Sequence, residues 1–223
     1  MRTLRLSILT LAAALAVSAC TRSSSPDAAS TAAPPGTPRH VALLDPSRAT
    51  LSAPPAFNAR LDTTRGTVLI RVTRAWAPRG ADRFFNLVQA GFFDDTAFFR
   101  VLPGFVVQFG LSGVPQINAA WQTARIQDDP VRESNRRGRI TFATAGPNTR
   151  TSQVFINTGD NRNLDLTGFA PFGEVIEGIG VIEQVYSGYG ERPDQSLITA
   201  NGNAYLKSEF PRLDYIRRAA IVP

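Results

Sequence analysis

The 223 residues contain one cysteine, one histidine and one methionine. A single cysteine excludes a disulfide within one copy of the chain. The single histidine, His40, has no second histidine or acidic cluster beside it, so it reads as a solvated linker residue rather than a catalyst or metal ligand. Apolar runs are short as well: Leu6 to Ala19 falls below the length a helix needs to cross a bilayer. Dense positive charge is also missing. Basic residues outnumber acidic ones 24 to 18, but only Arg136-Arg137-Gly138-Arg139 and Arg217-Arg218 cluster. Such scatter reads as a solvated basic face and argues against a nucleic-acid partner.

What is present begins with a leader. Met1-Arg2-Thr3-Leu4-Arg5 is basic, and the apolar stretch behind it has the length of a signal-peptide core, so residues 1–19 read as a signal peptide. It ends in Val17-Ser18-Ala19-Cys20, which resembles a bacterial lipobox, in which the cysteine is acylated and becomes the mature N-terminus. Thr21 follows where an aspartate would favour inner-membrane retention, so the expectation is a lipid anchor at Cys20 on a periplasm-facing membrane, the outer membrane favoured. Loss of Arg2 and Arg5 with the leader lowers the formal charge of +6 by two. Residues 20–55 are rich in Pro, Ser and Ala without apolar periodicity, and read as a disordered tether.

Residues 56–223 are the length of one domain. Phe57–Thr63 alternates in polarity, Thr64-Arg65-Gly66 signals a turn, and β-branched Thr67–Val72 follows, so the pair predicts a hairpin. Pro78 to Gly91 predicts a helix, with proline at its first position and glycine at its close. Further strands are expected at Phe98–Val101, Phe105–Phe109, Arg139–Ala143, Gln153–Ile156, Phe172–Ile176 and Tyr215–Ile221, and a second helix at Ile179–Tyr186. Many short strands with Gly/Pro turns and two helices predict a mainly β fold, a closed barrel capped at its ends.

Two segments carry the function. The first is Phe98-Phe99-Arg100-Val101-Leu102-Pro103-Gly104-Phe105-Val106-Val107-Gln108-Phe109-Gly110; the second is Ala143-Thr144-Ala145-Gly146-Pro147-Asn148-Thr149-Arg150-Thr151-Ser152-Gln153-Val154-Phe155. Together they resemble the paired signature of the cyclophilins, the cyclosporin-type peptidyl-prolyl cis/trans isomerases. The resemblance covers about Phe57 to Val185 and resumes in the last strand. It implies a closed antiparallel eight-stranded barrel with two helices. It also implies proline-containing polypeptide substrates, no cofactor and a monomer.

The resemblance implies a catalytic role for Arg100. It places Phe105, Val106, Phe155, Leu164 and Phe169 around the proline, Gln108, Gln153 and Thr144 at the substrate backbone, and Ala143 where an extended chain lies close. The chain departs from the family pattern in five places. Phe99 replaces a histidine, Phe109 a glycine, Thr144 an asparagine, Asn163 a tryptophan or other aromatic residue, and Phe169 a late histidine. Residues 187–214 have no counterpart in compact members and read as a cover over the barrel or a partner surface; Asn203–Pro211 could form a short helix within it. Other classes remain open: a peptide-holding, chaperone-like module with little turnover, or a structural envelope protein using the barrel as a scaffold.

Overall fold

The computed structural model describes residues 41–223. The leader, Cys20, His40 and the first part of the tether lie outside the described residues. Strands β1 (Ala56–Thr63) and β2 (Thr67–Thr73) form the expected hairpin, with Asp62 opposite Thr67. Their alternation separates the faces: Ala59, Leu61, Val68, Ile70 and Val72 are fully buried, while Arg60 and Arg71 point to solvent. Thr63 closes the turn, its hydroxyl donating to Gly66 O (2.7 Å) and accepting from the Arg65 and Gly66 N–H groups.

Helix α1 (Pro78–Gln89) follows, with β3 (Thr96–Ala97), β4 (Arg100–Leu102), β5 (Val106–Phe109) and α2 (Pro115–Trp121). The chain continues through β6 (Arg139–Phe142), β7 (Val154–Asn157), β8 (Pro171–Glu177), α3 (Ile179–Glu183), α4 (Gln195–Glu209) and β9 (Tyr215–Val222). All nine strands join one antiparallel sheet in the order β3-β9-β1-β2-β8-β6-β7-β5-β4. The expected closed eight-stranded barrel with two helices is therefore corrected to a curled, open nine-stranded sheet with four α-helices among the described residues. Its end strands, β3 and β4, are joined through Phe98-Phe99 but do not pair with each other. The Phe98 N–H donates to Asp214 O, extending the β3–β9 pairing, and on the free side of β4 the Val101 N–H donates to Gly190 O, both 3.0 Å. Gly190 of the 187–214 segment thus occupies an edge of β4 that would otherwise be bare.

The helices also differ from the expectation. The α1 N-cap, Ala77, has no capping side chain, and Asp129 serves instead, accepting from the Arg79 and Gly80 N–H groups at 3.0 and 2.9 Å. Helix α3 stops at Glu183 rather than Tyr186, because the Tyr186 N–H donates to the Asp214 carboxylate (2.8 Å) instead of continuing the helical ladder. The short helix expected at Asn203–Pro211 is the second half of α4. That helix starts at Gln195, capped by Asp194, and breaks at Gly202 (φ 57°, ψ −141°). The break has a packing cause: a Cβ on Gly202 would sit 2.1 Å from Gly113 O.

The main core centres on tilted and edge-on ring contacts among Phe84, Phe93, Phe98, Phe109, Phe142 and Phe172. A second, smaller core of Ala97, Phe99, Leu111, Ile198, Leu206 and Leu213 lies beneath α4, with Tyr189, Tyr205 and Phe210 packed against it. The folded body also begins before residue 56. Ala42, Leu43 and Ala53 are buried, Asn86 brackets Leu51 by accepting from its N–H and donating to its carbonyl, and Trp121 Nε1 donates to Leu43 O (3.1 Å). Residues 41–55, expected within the tether, are held by side chains distant in sequence. Among the described residues no helix is long and apolar enough to cross a membrane.

Gly202→Ala should destabilise the fold by about 2 kcal/mol or more, because its new Cβ meets backbone and its φ disfavours a side chain. Gly180→Ala, in α3 with nothing within 4 Å of its Cβ, should be neutral or stabilise by up to about 1 kcal/mol. Urea unfolding of both variants checks the contrast.

Candidate active site

The pleat of three neighbouring strands builds the site. Arg100 on β4 stands opposite Gln108 on β5, which stands opposite Phe155 on β7. Residues facing each other across paired strands share a sheet face, so the cation, the amide and the ring form one row. Val106, two residues from Gln108, is on the same face, while Val107, Phe109, Val154 and Ile156 turn into the main core. Gly110 ends β5 with φ +103°, where a Cβ would lie 2.4 Å from Ser152 O. Only glycine lets these two segments approach so closely.

The row opens into a cleft of about 590 Å³. Arg100, Phe105, Val106, Gln108, Ala143, Thr144, Gln153, Phe155, Leu164 and Phe169 all line it, so the structure brings together every cleft residue expected from the sequence. Ala145, Thr149, Thr151 and Gln195 line it too and had not been singled out. The first three lie inside the second signature segment, where proximity could have flagged them. Gln195 opens α4 in the inserted segment and carried no signal.

Arg100 is held on two sides. Its Nε donates to Glu191 Oε2 at 3.0 Å and its Nη1 to Gln108 Oε1 at 3.4 Å. Gln108 Nε2 in turn donates to Gln153 Oε1 at 2.7 Å. The side chain is 26% exposed, so the guanidinium is backed by protein yet open to the cleft, and its Nη2 donates to no group among the described residues. A guanidinium keeps its charge at any relevant pH and presents its donors in one plane. Phe155 and Phe169 meet edge-on at 5.6 Å in the apolar part of the cleft. Leu164 is placed there by its neighbour Asp165, which accepts from Ser134 Oγ (2.5 Å) and from the Asn135 N–H and Nδ2 (both 2.8 Å).

The loop between β6 and β7 is pinned from behind. Arg150 is buried and pairs with Asp128 (3.0 Å) and Asp129 (3.1 Å), and also donates to Gln127 O. Arg83 donates to Ala124 O and Thr151 O and lies over the Trp121 ring. Burial, aided by the like charge of Arg150, pushes Arg83 down to about 10, so it remains a cation at neutral pH. Thr144 turns its hydroxyl into its own loop, toward Gly146 O and the Thr149 hydroxyl, so it lines the cleft without offering the reach of an amide.

The remaining departures have packing explanations. Phe109 points into the main core against Phe93 and Phe98 and does not crowd the cleft. Phe99 is buried in the second core beneath the inserted segment. Asn163 is exposed and lies outside the cleft lining. Trp121 is buried and committed to Leu43, so it cannot stand in for the missing aromatic. Among the described residues no group of three His, Cys, Asp or Glu side chains is placed to hold a metal ion.

An apolar cleft faced by one fixed cation and two amides suits a neutral, extended peptide carrying a ring. The family model described as cyclophilin type peptidyl-prolyl cis-trans isomerase/CLD matches residues 59–201, and the chain belongs to that family. It is 32% identical over 146 residues to peptidyl-prolyl cis-trans isomerase-like 1 of Gibberella zeae, covering 63% of this chain and 90% of that one. It is 35% identical over 144 residues to peptidyl-prolyl cis-trans isomerase A of Dickeya dadantii, covering 59% and 75%. The fold matches the crystal structure of a cyclophilin-type isomerase from Cryptosporidium parvum, with a TM-score of 0.56, 21% identity and coverage of 75% and 98%. The family is one of enzymes that act on proline-containing polypeptides.

Asp129→Ala should cost about 3 kcal/mol in urea unfolding, since it strips a partner from buried Arg150 and uncaps α1. Acid sensitivity should follow Asp82, Asp165 and Asp214. Burial pushes each upward, but hydrogen bonds, from Arg74 and Ala53, from Ser134 and Asn135, and from Thr64, Arg65 and Tyr186 respectively, hold each below its ordinary value. A depressed folded value contributes stability above the unfolded value, about pH 4, that is lost as pH falls through the folded one. Asp94, raised by burial, has the opposite sign and loses its contribution as pH rises through its folded value. The melting temperature should therefore hold down to about pH 5 and drop steeply below about pH 4, and Asp165→Asn should reduce that drop.

Proposed function

We propose that this protein accelerates rotation about X-Pro bonds in exported polypeptides, from a membrane surface of the cell envelope to which acylated Cys20 anchors it. The outer membrane, facing the periplasm, is the favoured location, and the protein acts as a monomer. The anchor reading rests on the lipobox-like Val17-Ser18-Ala19-Cys20 behind an apolar leader. Several acyl chains on one residue suffice to hold a folded domain, since each buried CH₂ contributes about 0.8 kcal/mol.

The reaction has a barrier of about 18–20 kcal/mol, because rotation breaks amide resonance. No bond is made, so neither nucleophile nor cofactor is required; the twisted state must fit better than either planar one. In this reading the proline ring sits on Phe105, Val106, Phe155, Leu164 and Phe169. Gln108 and Gln153 hold the backbone beside it, and small Ala143 lets the extended chain lie close. The Arg100 guanidinium donates to the prolyl nitrogen as its lone pair leaves conjugation, and holds the neighbouring carbonyl. Lowering the barrier by about 7 kcal/mol would accelerate rotation by about 10⁵. The observation that carries the reading is Arg100 with Nε and Nη1 engaged and Nη2 without a partner among the described residues, at the edge of an apolar cleft. A structure of the Cryptosporidium parvum protein determined in the presence of the dipeptide Ala-Pro, with a TM-score of 0.55, 21% identity and coverage of 74% and 99%, offers a first ligand to try.

Arg100→Ala should lower kcat/KM on an X-Pro peptide by roughly 10²–10³, about 3–4 kcal/mol, with a far smaller loss of peptide affinity. Lysine should restore little, because a point charge lacks the planar donor set. Equal rates for wild type and Arg100→Ala, with both binding peptide, would establish the holding module instead. In fractionated cells, Cys20→Ala should release the protein from the membrane or leave its precursor uncleaved. A soluble wild-type protein without lipid by mass spectrometry would refute the anchor.

A further inference from the structure

The inserted segment 187–214, which includes α4, reaches the site at two points. Glu191 bonds Arg100 Nε, and Gln195 joins the lining. The placement of Glu191 follows from one backbone bond. Strand β4 is the end of the sheet, with β5 on one side, and its other edge takes the Gly190 carbonyl through Val101 N–H at 3.0 Å. Fixing Gly190 beside Val101 sets Glu191 beside Arg100.

The turn that carries Gly190 is itself clamped. Gly190 N–H donates to Ser187 O and Arg192 N–H to Tyr189 O. The Tyr189 ring packs edge-on against Tyr186 and Phe210, at 5.0 and 5.1 Å, and carries Arg192 over its face. Asp194 then caps α4 and holds Gln195 at its first position. The carboxylate is therefore delivered to Arg100 by a built turn and not by a wandering loop.

We infer that Glu191 is a positioning residue for Arg100. This rests on the isomerase reading and adds to it a contribution from the 187–214 segment. Glu191 is 65% exposed at its side chain, so water screens the pair and it adds little to fold stability. Its effect is on orientation. An arginine side chain has many rotamers to lose, and bonds at Nε and Nη1 fix the guanidinium plane while leaving Nη2 for a substrate. Much of the rate advantage of a positioned group lies in having that geometry before the substrate arrives.

The test uses the mature full-length protein, an X-Pro peptide and four variants: Glu191→Ala, Glu191→Gln, Arg100→Ala and Arg100→Ala with Glu191→Ala. Glu191→Ala should lower kcat/KM by about five- to tenfold, mainly through kcat, with melting temperature and peptide Kd unchanged. Glu191→Gln keeps an acceptor for Nε and should stay within about twofold of wild type. In the Arg100→Ala background, loss of Glu191 should change nothing further. The Arg100 Nε–H signal in NMR should be protected from exchange in wild type and Glu191→Gln, and lose that protection in Glu191→Ala. An unchanged or faster Glu191→Ala overturns the inference, and so does an equal loss in both backgrounds, which would mean Glu191 acts without Arg100. If Arg100→Ala alone matches wild type, the isomerase reading itself fails and takes this role with it.

Discussion

The site depends on holding a charged, flexible side chain still at the end of a sheet. Strand β4 is only three residues long, and one of its edges would be bare without the inserted segment. Arg100 gains a fixed orientation because three neighbours converge on it: Gln108 across the ladder, Glu191 from the turn beyond the edge, and the Phe105 ring 5.9 Å from its guanidinium carbon. The apolar floor next to it comes from the other half of the same pleat. An isomerase of this kind needs little chemistry beyond that. It needs a donor set that does not have to search for its geometry when the amide twists, in a cleft with too little water to compete.

The same constraint ties together features that looked unrelated in the sequence. Phe99 stands where the family has histidine, and it is one of the anchors of the second core, together with Ile198, Leu206 and Leu213 of the inserted region. The ring beside Arg100 and the distant inserted segment thus pack into one core. Phe109, in place of a glycine, faces away from the cleft and joins Phe93 and Phe98 in the main core. Behind the opposite wall, the buried Arg150 group holds the loop that carries Ala143, Thr144, Thr149 and Thr151.

Much of this was legible from residue order alone. The β1–β2 hairpin and most later strands fall within a residue or two of their expected limits, because alternation and Gly/Pro turns are local signals. The cleft residues were readable because they sit in two contiguous segments that become neighbouring strands and a loop. Sheet closure was not readable, since pairing between end strands depends on what else reaches their edges. Residues 41–55 were misplaced because they are held by Asn86, Asp82 and Trp121, which no local pattern links to them. Helix α4 was only half seen, because Gly202 interrupts its apolar spacing. Glu191 and Gln195 were invisible because tertiary contacts set their approach to the site: Gly190 O at Val101 N–H for Glu191, and the placement of the capped α4 start for Gln195.

The central claim is that this cleft speeds rotation about an X-Pro bond rather than merely gripping the peptide. Magnetisation-exchange NMR on an Ala-Pro peptide with a small amount of the protein measures that rotation directly, in the presence and absence of a metal chelator. The account predicts exchange between the cis and trans proline signals on the order of a second or faster, against tens to hundreds of seconds unaided, with no effect of the chelator. Peptide signals that shift on binding while cis–trans exchange stays at the unaided rate would contradict it.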